Sequence, residues 1–384
     1  MKKQKVIVKL WNWCKKEAVL TIAMILAALS AFFVHPDKEY ISYIDFRTLS
    51  ILFCLMAVMV GLQKIGLFQY VAEKLLKRVK HIRGIVFILI MLCFVSSMFI
   101  TNDVALITFV PFTFIVLKMT LGENATKLIV PVVVMQTIAA NLGSMLTPIG
   151  NPQNLYLYGK ADMNFIEFVI FMLPCTLISF LLLTVWCLFF RYQGEKVVDV
   201  SLEETCSLTS YKKKLVVYGA LFVVCLLTVA HILPYGITLI IVLVAVILLD
   251  KSVLGKVDYA LLLIFVGFFI FIGNMGRVPA FNTFIKEIID GNEILTSVAA
   301  SQFMSNVPAA LLLSGFTKQY NLLILGTNLG GLGTIIASMA SLISFKYIGK
   351  EYKHLRGKYL GYFTVANLLF FLVLLFYVLV VNYS

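Results

Sequence analysis

The chain has 384 residues, of which 61% are hydrophobic, and carries 32 Lys and Arg against 19 Asp and Glu. A mean hydropathy of +0.97 excludes a soluble domain and points to an all-α polytopic membrane protein. The net charge of +13 does not argue for a nucleic-acid partner, because the basic residues are confined to connections between apolar stretches.

A bilayer span needs about 20 apolar residues. In chain order, stretches that qualify lie at 18–34, 48–62, 84–117, 128–158, 164–190, 215–233, 236–249, 259–275, 294–316, 320–345 and 359–381. The first follows a basic N-terminus but lacks a clear small-residue cleavage site, so it reads as an uncleaved helix rather than a signal peptide. The seven Cys show no C-x-x-C spacing and the four His sit at span ends or in loops, so neither set builds a metal or disulfide framework.

Twenty-six of the 32 cations fall in 1–16, 63–83, 118–127, 191–214, 251–258 and 346–358. This is the positive-inside pattern, and it assigns those segments and the N-terminus to the cytoplasm. Segments 63–83 and 118–127 then share a side, yet only 84–117 separates them. That stretch is interrupted at FITNDVAL, so the spacing predicts a re-entrant helical hairpin turning at Thr101-Asn102-Asp103. Alternating the later spans forces a second hairpin at 294–316, entering from outside through SQFMSNVPA, and leaves the C-terminus outside. The polar stretch 191–214 reads as a cytoplasmic linker between halves 1–190 and 215–384.

The halves are related. NLGSMLTPIGNPQNL (141–155) aligns without gaps on NLGGLGTIIASMASL (328–342), and the hairpin tips match as TND (101–103) and SNV (305–307). Opposite orientation of matching segments predicts two inverted-topology repeats, each with a hairpin and a discontinuous helix, over 128–158 and 320–345. Helix breakers at membrane depth require that protein or a cavity satisfy the freed backbone. Helix N-termini there suit anionic groups, and bare carbonyls suit Na⁺.

The polar wall of such a site would comprise Thr101, Asn102, Ser305 and Asn306 at the tips. Thr147, Asn151 and Asn154 extend it from the first break, Thr334 and Ser338 from the second. Gly143, Gly150, Gly330, Gly331 and Gly333 permit close backbone approach. The tip residues also suit plain helix capping by Asn102 or Asp103 and by Ser305 or Asn306, and the glycines suit helix packing. The first break carries Pro148, Asn151, Pro152 and Asn154 where the second has small or apolar residues, so the first half is expected to carry more of the binding. Asp103 alone among the acids lies deep in a hydrophobic stretch. A buried carboxylate is costly unless paired, protonated or bound to a cation. No intramembrane Lys or Arg is available as its partner, so a proton or Na⁺ is the candidate, with a structural cap as the rival.

FITNDVALITFVPF followed by ANLGSMLTPIGNPQNLYLY resembles the ion transporter superfamily, in particular its citrate-transporter-like and divalent-anion/sodium symporter branches. Arsenite permeases and some Na⁺/H⁺ antiporters are more distant relatives. The resemblance spans roughly 45–380 and implies a homodimeric elevator-type transporter. It also implies Ser-Asn-Thr tip motifs that bind substrate carboxylates and help form Na⁺ sites. Thr101-Asn102 and Ser305-Asn306 match the first two motif positions, whereas Asp103 and Val307 depart at the third. An acid beside a divalent anion repels it unless protonated or cation-bound, which adds weight to H⁺ coupling or to a different anion. On this basis the substrate-binding candidates are Thr101, Asn102, Asn151, Ser305, Asn306 and Thr334. The coupling-ion candidates are Asp103, Asn102, Gly143, Thr147, Asn306 and Gly330.

The expectation is a multi-pass secondary transporter of the cytoplasmic membrane. It moves a small anion, an organic di- or tricarboxylate such as citrate or succinate, coupled to Na⁺ or H⁺, with no resident cofactor. Arsenite efflux or Na⁺/H⁺ exchange is the nearest rival. A channel would need a continuous polar pore, and an intramembrane enzyme a catalytic set built on His or paired Asp; neither is seen. The absence of GxxxxGK[ST] argues against ATP-driven transport within this chain.

Overall fold

A backbone that crosses a bilayer must satisfy its own hydrogen bonds, and a helix does so within one segment. The computed structural model describes residues 17–161, 163–190 and 211–383, and every regular element among them is a helix. Among the described residues six helices are long and apolar enough to cross a membrane, with Ala18–Phe33 and Ile82–Ser96 as shorter apolar companions. The chain is an all-α polytopic membrane protein. The basic N-terminal segment and most of the expected linker, 191–210, lie outside the described residues.

The helices sort into two packed groups. In one, Ala18–Phe33 lies along Tyr259–Gly276, and Phe46–Ile65 lies against Lys212–Val229 and Tyr235–Asp250. Gly267 sets Tyr259–Gly276 against the Ala23 backbone of Ala18–Phe33, where a Cβ would stand 3.1 Å from the Ala23 carbonyl oxygen, and other glycines make room for aromatic rings. A Cβ at Gly61 would stand 2.2 Å from the Tyr218 ring, and one at Gly273 would stand 2.3 Å from the Tyr43 ring. Asn274 Nδ2 also donates across this group to Ser30 Oγ (2.9 Å) and Tyr40 Oη (2.8 Å).

The other group holds every interrupted segment. Helices Ile82–Ser96 and Asn102–Leu121, with a break at 97–101, both pack on Ala125–Gly143. After a 3₁₀ turn over Ser144–Leu146, the chain resumes at Pro152–Lys160, with Pro152 in the first turn where its missing N–H costs nothing. The later segment repeats the plan. Helices Glu293–Met304 and Asn306–Ser314 pack on Tyr320–Gly330, and an irregular stretch leads to Met339–Glu351. All four interruptions expected from the sequence are therefore present, displaced by a few residues. The long helices Phe165–Phe189 and Arg356–Tyr383 pack on this group, and Trp186 Nε1 donates to Tyr362 Oη (3.2 Å).

Gly143 is the tightest backbone approach in this second group. A Cβ there would lie 2.0 Å from the Phe94 carbonyl oxygen and 2.6 Å from Ser97 Oγ, and a main-chain carbonyl inside a helix cannot step aside. Gly143→Ala is expected to cost about 1–3 kcal/mol by overpacking and to lower the thermal midpoint measured by fluorescence-detected size exclusion. Gly219→Ala, whose Cβ meets nothing within 4 Å inside the helix Lys212–Val229, serves as the control and should leave the midpoint unchanged or raise it. An unchanged midpoint for Gly143→Ala would show that the two helices are not in this close contact.

Candidate functional site

The two tips are built from backbone that no helix satisfies. The first descending helix begins after Thr101 and the second after Ser305, and neither residue's side chain accepts a bond from the helix it precedes. Ser305 is held at φ 74° while almost fully buried, a conformation rare outside glycine. The main-chain N–H groups just beyond these residues reach instead to the breaks. Asn102 N donates to Gly150 O (3.2 Å), and Asn306 N donates to Ala337 O (3.0 Å). The expectation of side-chain capping at the tips is corrected accordingly. What remains of it is Asn102 Oδ1 accepting the N–H of Asp103 at 2.9 Å.

The threonines of the breaks fasten the other side of each turn. Thr147 Oγ1 donates to Met98 O (2.5 Å), and Thr334 Oγ1 donates to Gln302 O (3.1 Å). Gly143 packs on Phe94 and Ser97, while Gly330 packs on Val298 and Ser301. Each of these contacts recurs with every break residue displaced as Asn141 is from Asn328, and every hairpin residue as Thr101 is from Ser305. The second hairpin is tied more firmly. Gln302, which stands where the first has Met98, donates from Nε2 to Gly330 O (2.9 Å) and Leu332 O (3.0 Å), and its Oε1 accepts the Thr334 N–H (2.8 Å).

Where the breaks meet, the partners are exchanged. Asn141 Oδ1 accepts from Ser338 Oγ (2.9 Å), and its Nδ2 donates to Ser341 Oγ (3.5 Å). In the mirror arrangement, Asn328 Oδ1 accepts from Asn151 Nδ2 (3.3 Å), and its Nδ2 donates to Asn154 Oδ1 (2.6 Å). Asn102 Nδ2 adds a bond to Asn141 Oδ1 (3.0 Å), joining the first tip to the network. The side chain of Asn306, its counterpart, stays with its neighbour, accepting at Oδ1 from Ser305 Oγ (3.4 Å). All these side chains are buried. A buried polar network of this kind specifies one arrangement, because each broken bond strands its partner.

Several groups at the site remain unpartnered. Asp103 Oδ1, Asn151 Oδ1 and both polar atoms of Gln153 are buried without a hydrogen bond. Such groups mark where a ligand, ion or water completes the bonding. No Lys or Arg among the described residues is buried. Asp103 also stands in the first turn of Asn102–Leu121, where the helix dipole favours a negative charge. Among the described residues no group of three His, Cys, Asp or Glu is arranged to hold a metal ion.

The structure thus gathers Asn102, Gly143, Thr147, Asn151, Ser305, Asn306 and Gly330 around the tips and breaks, with Thr101 and Asp103 at the first tip. Thr334 stands apart at an exposed position, its N–H and hydroxyl both engaged with Gln302. Sequence reasoning passed over Asn141, Asn328, Ser341, Gln153 and Gln302. The first two are the opening residues of the NLG triplets, so their signal was visible in the alignment. Gln302 carried none, since its role comes from meeting a break that lies 28 residues further along.

Membrane-length helices surrounding a buried polar crossing of two interrupted helices define a polytopic membrane protein of the transporter class. The chain belongs to the citrate transporter family, whose profile matches residues 8–321. It is 33% identical over 329 residues to the uncharacterized transporter MJ0456 of Methanocaldococcus jannaschii, covering 85% of this chain and 87% of that one. It is 31% identical to the inner membrane protein YbiR of Escherichia coli, over 83% and 84% of the two chains. The silicon efflux transporter LSI3 of Oryza sativa subsp. japonica is 31% identical over 144 residues, 38% of this chain and 28% of that protein.

Asn141→Leu is expected to lower the thermal midpoint by the equivalent of about 1–3 kcal/mol for each buried partner it strands. Ser338→Ala should cost less in that background than alone, because the shared bond is already lost. Strictly additive effects in the double-mutant cycle would refute the network.

Proposed function

We propose that the chain is a secondary active transporter of two inverted repeats, 1–190 and 215–384, with re-entrant hairpins at 84–117 and 294–316. It takes a small anion, an organic di- or tricarboxylate, between the hairpin tips. The exchanged pairing of Asn141 with Ser338 and Ser341, and of Asn328 with Asn151 and Asn154, carries this reading. It is the contact pattern that a pseudo-two-fold axis through the two breaks would generate. Thr101, Asn102, Asn151, Ser305 and Asn306 bind substrate oxygens with amide, hydroxyl and helix N-terminal N–H donors, while Thr334, expected from the sequence to join them, spends its N–H and hydroxyl on Gln302. Asp103 takes the coupling cation, H⁺ or Na⁺, with Asn102, Thr147, Asn306 and the backbone at Gly143 and Gly330 as further contributors. The cation removes the repulsion that an ionised Asp103 would exert on an anionic substrate. The protein works as a homodimer in the cytoplasmic membrane, with its N-terminus inside and C-terminus outside, and access alternates by elevator movement of the hairpin-bearing group.

A second reading is favoured by the absence of any buried Lys or Arg among the described residues. Amides and hydroxyls beside a single acid suit an uncharged hydroxylated solute, such as silicic acid or arsenous acid, as well as they suit a carboxylate. The silicon efflux function of one relative is consistent with that chemistry. Uptake into proteoliposomes under separately imposed Na⁺ and H⁺ gradients distinguishes the readings. Citrate or succinate accumulation driven by one gradient is expected. Movement of silicic acid or arsenite with no carboxylate transport would favour the second reading, and cation exchange alone would overturn both.

Asp103→Asn should fold and still equilibrate substrate, but lose accumulation against a gradient. Gradient-driven accumulation equal to wild type would reduce Asp103 to a dipole-stabilising residue.

A further inference from the structure

An apolar cavity of about 410 Å³ lies between the short helix Leu67–Leu76 and the first hairpin. Val71 and Leu75 line one side, and Phe87, Met91 and Val95 line the other. The single hydroxyl in the lining, that of Ser96, is turned to the Leu92 carbonyl of its own helix. The cavity therefore offers no polar group to a ligand. Only hydrocarbon fills it without stranding a hydrogen-bonding group.

Its rim has a different character. Residues 83, 87, 91 and 95 share one face of the helix Ile82–Ser96 by their spacing of four. The exposed Arg83 therefore continues the apolar row of Phe87, Met91 and Val95 beyond the cavity. On the facing helix, Lys74 lies one turn from Val71, and Arg78 follows Leu75 by three residues. Between 67 and 84 the exposed charged residues are Lys74, Lys77, Arg78, Lys80 and Arg83, all cationic, and the one acid, Glu73, is buried.

We propose that this cavity seats an acyl chain of an anionic phospholipid whose headgroup is gathered by the cations at its rim. Apolar burial of a chain and attraction of its headgroup to basic residues add, as they do when an acylated protein with a polybasic patch holds to an anionic membrane more firmly than either signal alone allows. A zwitterionic lipid would fill the same walls but bring no net negative charge to Lys74, Arg78 and Arg83. A second copy of this chain would bring the same cationic rim against itself. The occupant joins the Leu67–Leu76 helix to the hairpin, so it bridges two parts of the chain that otherwise meet across an apolar gap. The assignment does not depend on which solute is transported.

The test equilibrates the purified full-length protein with equal amounts of phosphatidylglycerol and phosphatidylethanolamine and reads retained lipid by native mass spectrometry. Wild-type protein is expected to retain phosphatidylglycerol in preference by roughly tenfold or more, at about fivefold per engaged cation. The triple variant K74Q/R78Q/R83Q should bring the ratio close to one. V71W/M91W should remove both lipids while keeping its elution volume and helical circular dichroism. Should that variant fail to fold, V71S/M91S, which makes the walls polar without filling them, serves in its place. Equal retention of both headgroups by wild type would overturn the proposal, as would undiminished phosphatidylglycerol preference in the triple variant. Efficient cross-linking of two V71C copies at this position would overturn it too, by assigning the cavity to a dimer contact.

Discussion

Backbone freed from a helix at membrane depth must find a partner within the protein, and the architecture around the site follows from that requirement. The N–H of Asn102 answers the carbonyl of Gly150, and the N–H of Asn306 answers that of Ala337. Each bond satisfies two groups that lipid would leave bare. It also fixes where a hairpin tip stands relative to a break. The glycines at 143 and 330 let the hairpins come close enough for these bonds to form, since a side chain at either position would strike the hairpin. Remove one tip contact and both a helix start and a helix break lose their partners.

The two halves share this plan but do not share their chemistry. In the second half Gln302 binds its break at three points, and the Asn306 side chain takes its hydrogen bond from neighbouring Ser305 rather than from the other break. In the first half Met98 contributes only its main chain, and Asn102 is drawn into the asparagine network. The unpartnered groups Asp103, Asn151 and Gln153 all belong to the first half. A firmly tied second hairpin facing an incompletely bonded first tip gives the site a rigid side and a side whose bonding a ligand would complete.

Polar crossings of this kind also explain how helices associate where lipid competes with every apolar contact. Each exchanged asparagine bond ties an early break to a late one, and in the other helix group Asn274 does the same between Tyr259–Gly276 and Ala18–Phe33. Close packing at Gly61 and Gly273 supplies the rest. Aqueous charge pairs are left to the ends of the helices, as with Lys64 and Asp250, where water screens them and they add little.

The sequence alone determined that the chain lives in a membrane, where its helices run, and where four of them are interrupted. Those features are local: hydropathy sets a span, and Gly, Pro and Asn clusters interrupt it wherever they occur. The likeness between the two breaks was legible too, because NLG and the paired tip residues stand as short matching strings. The sequence suggested that the first break dominates, since Ser338 and Ser341 replace Asn151 and Asn154. The folded chain shows the serines bonded to Asn141 as the asparagines are to Asn328. That correspondence depends on contacts between residues nearly 200 positions apart, and no local pattern encodes which amide will face which hydroxyl. Only the tertiary structure decided it, because a hydrogen bond is a matter of position to within a few tenths of an ångström, while a sequence pattern specifies only which groups are available to make one.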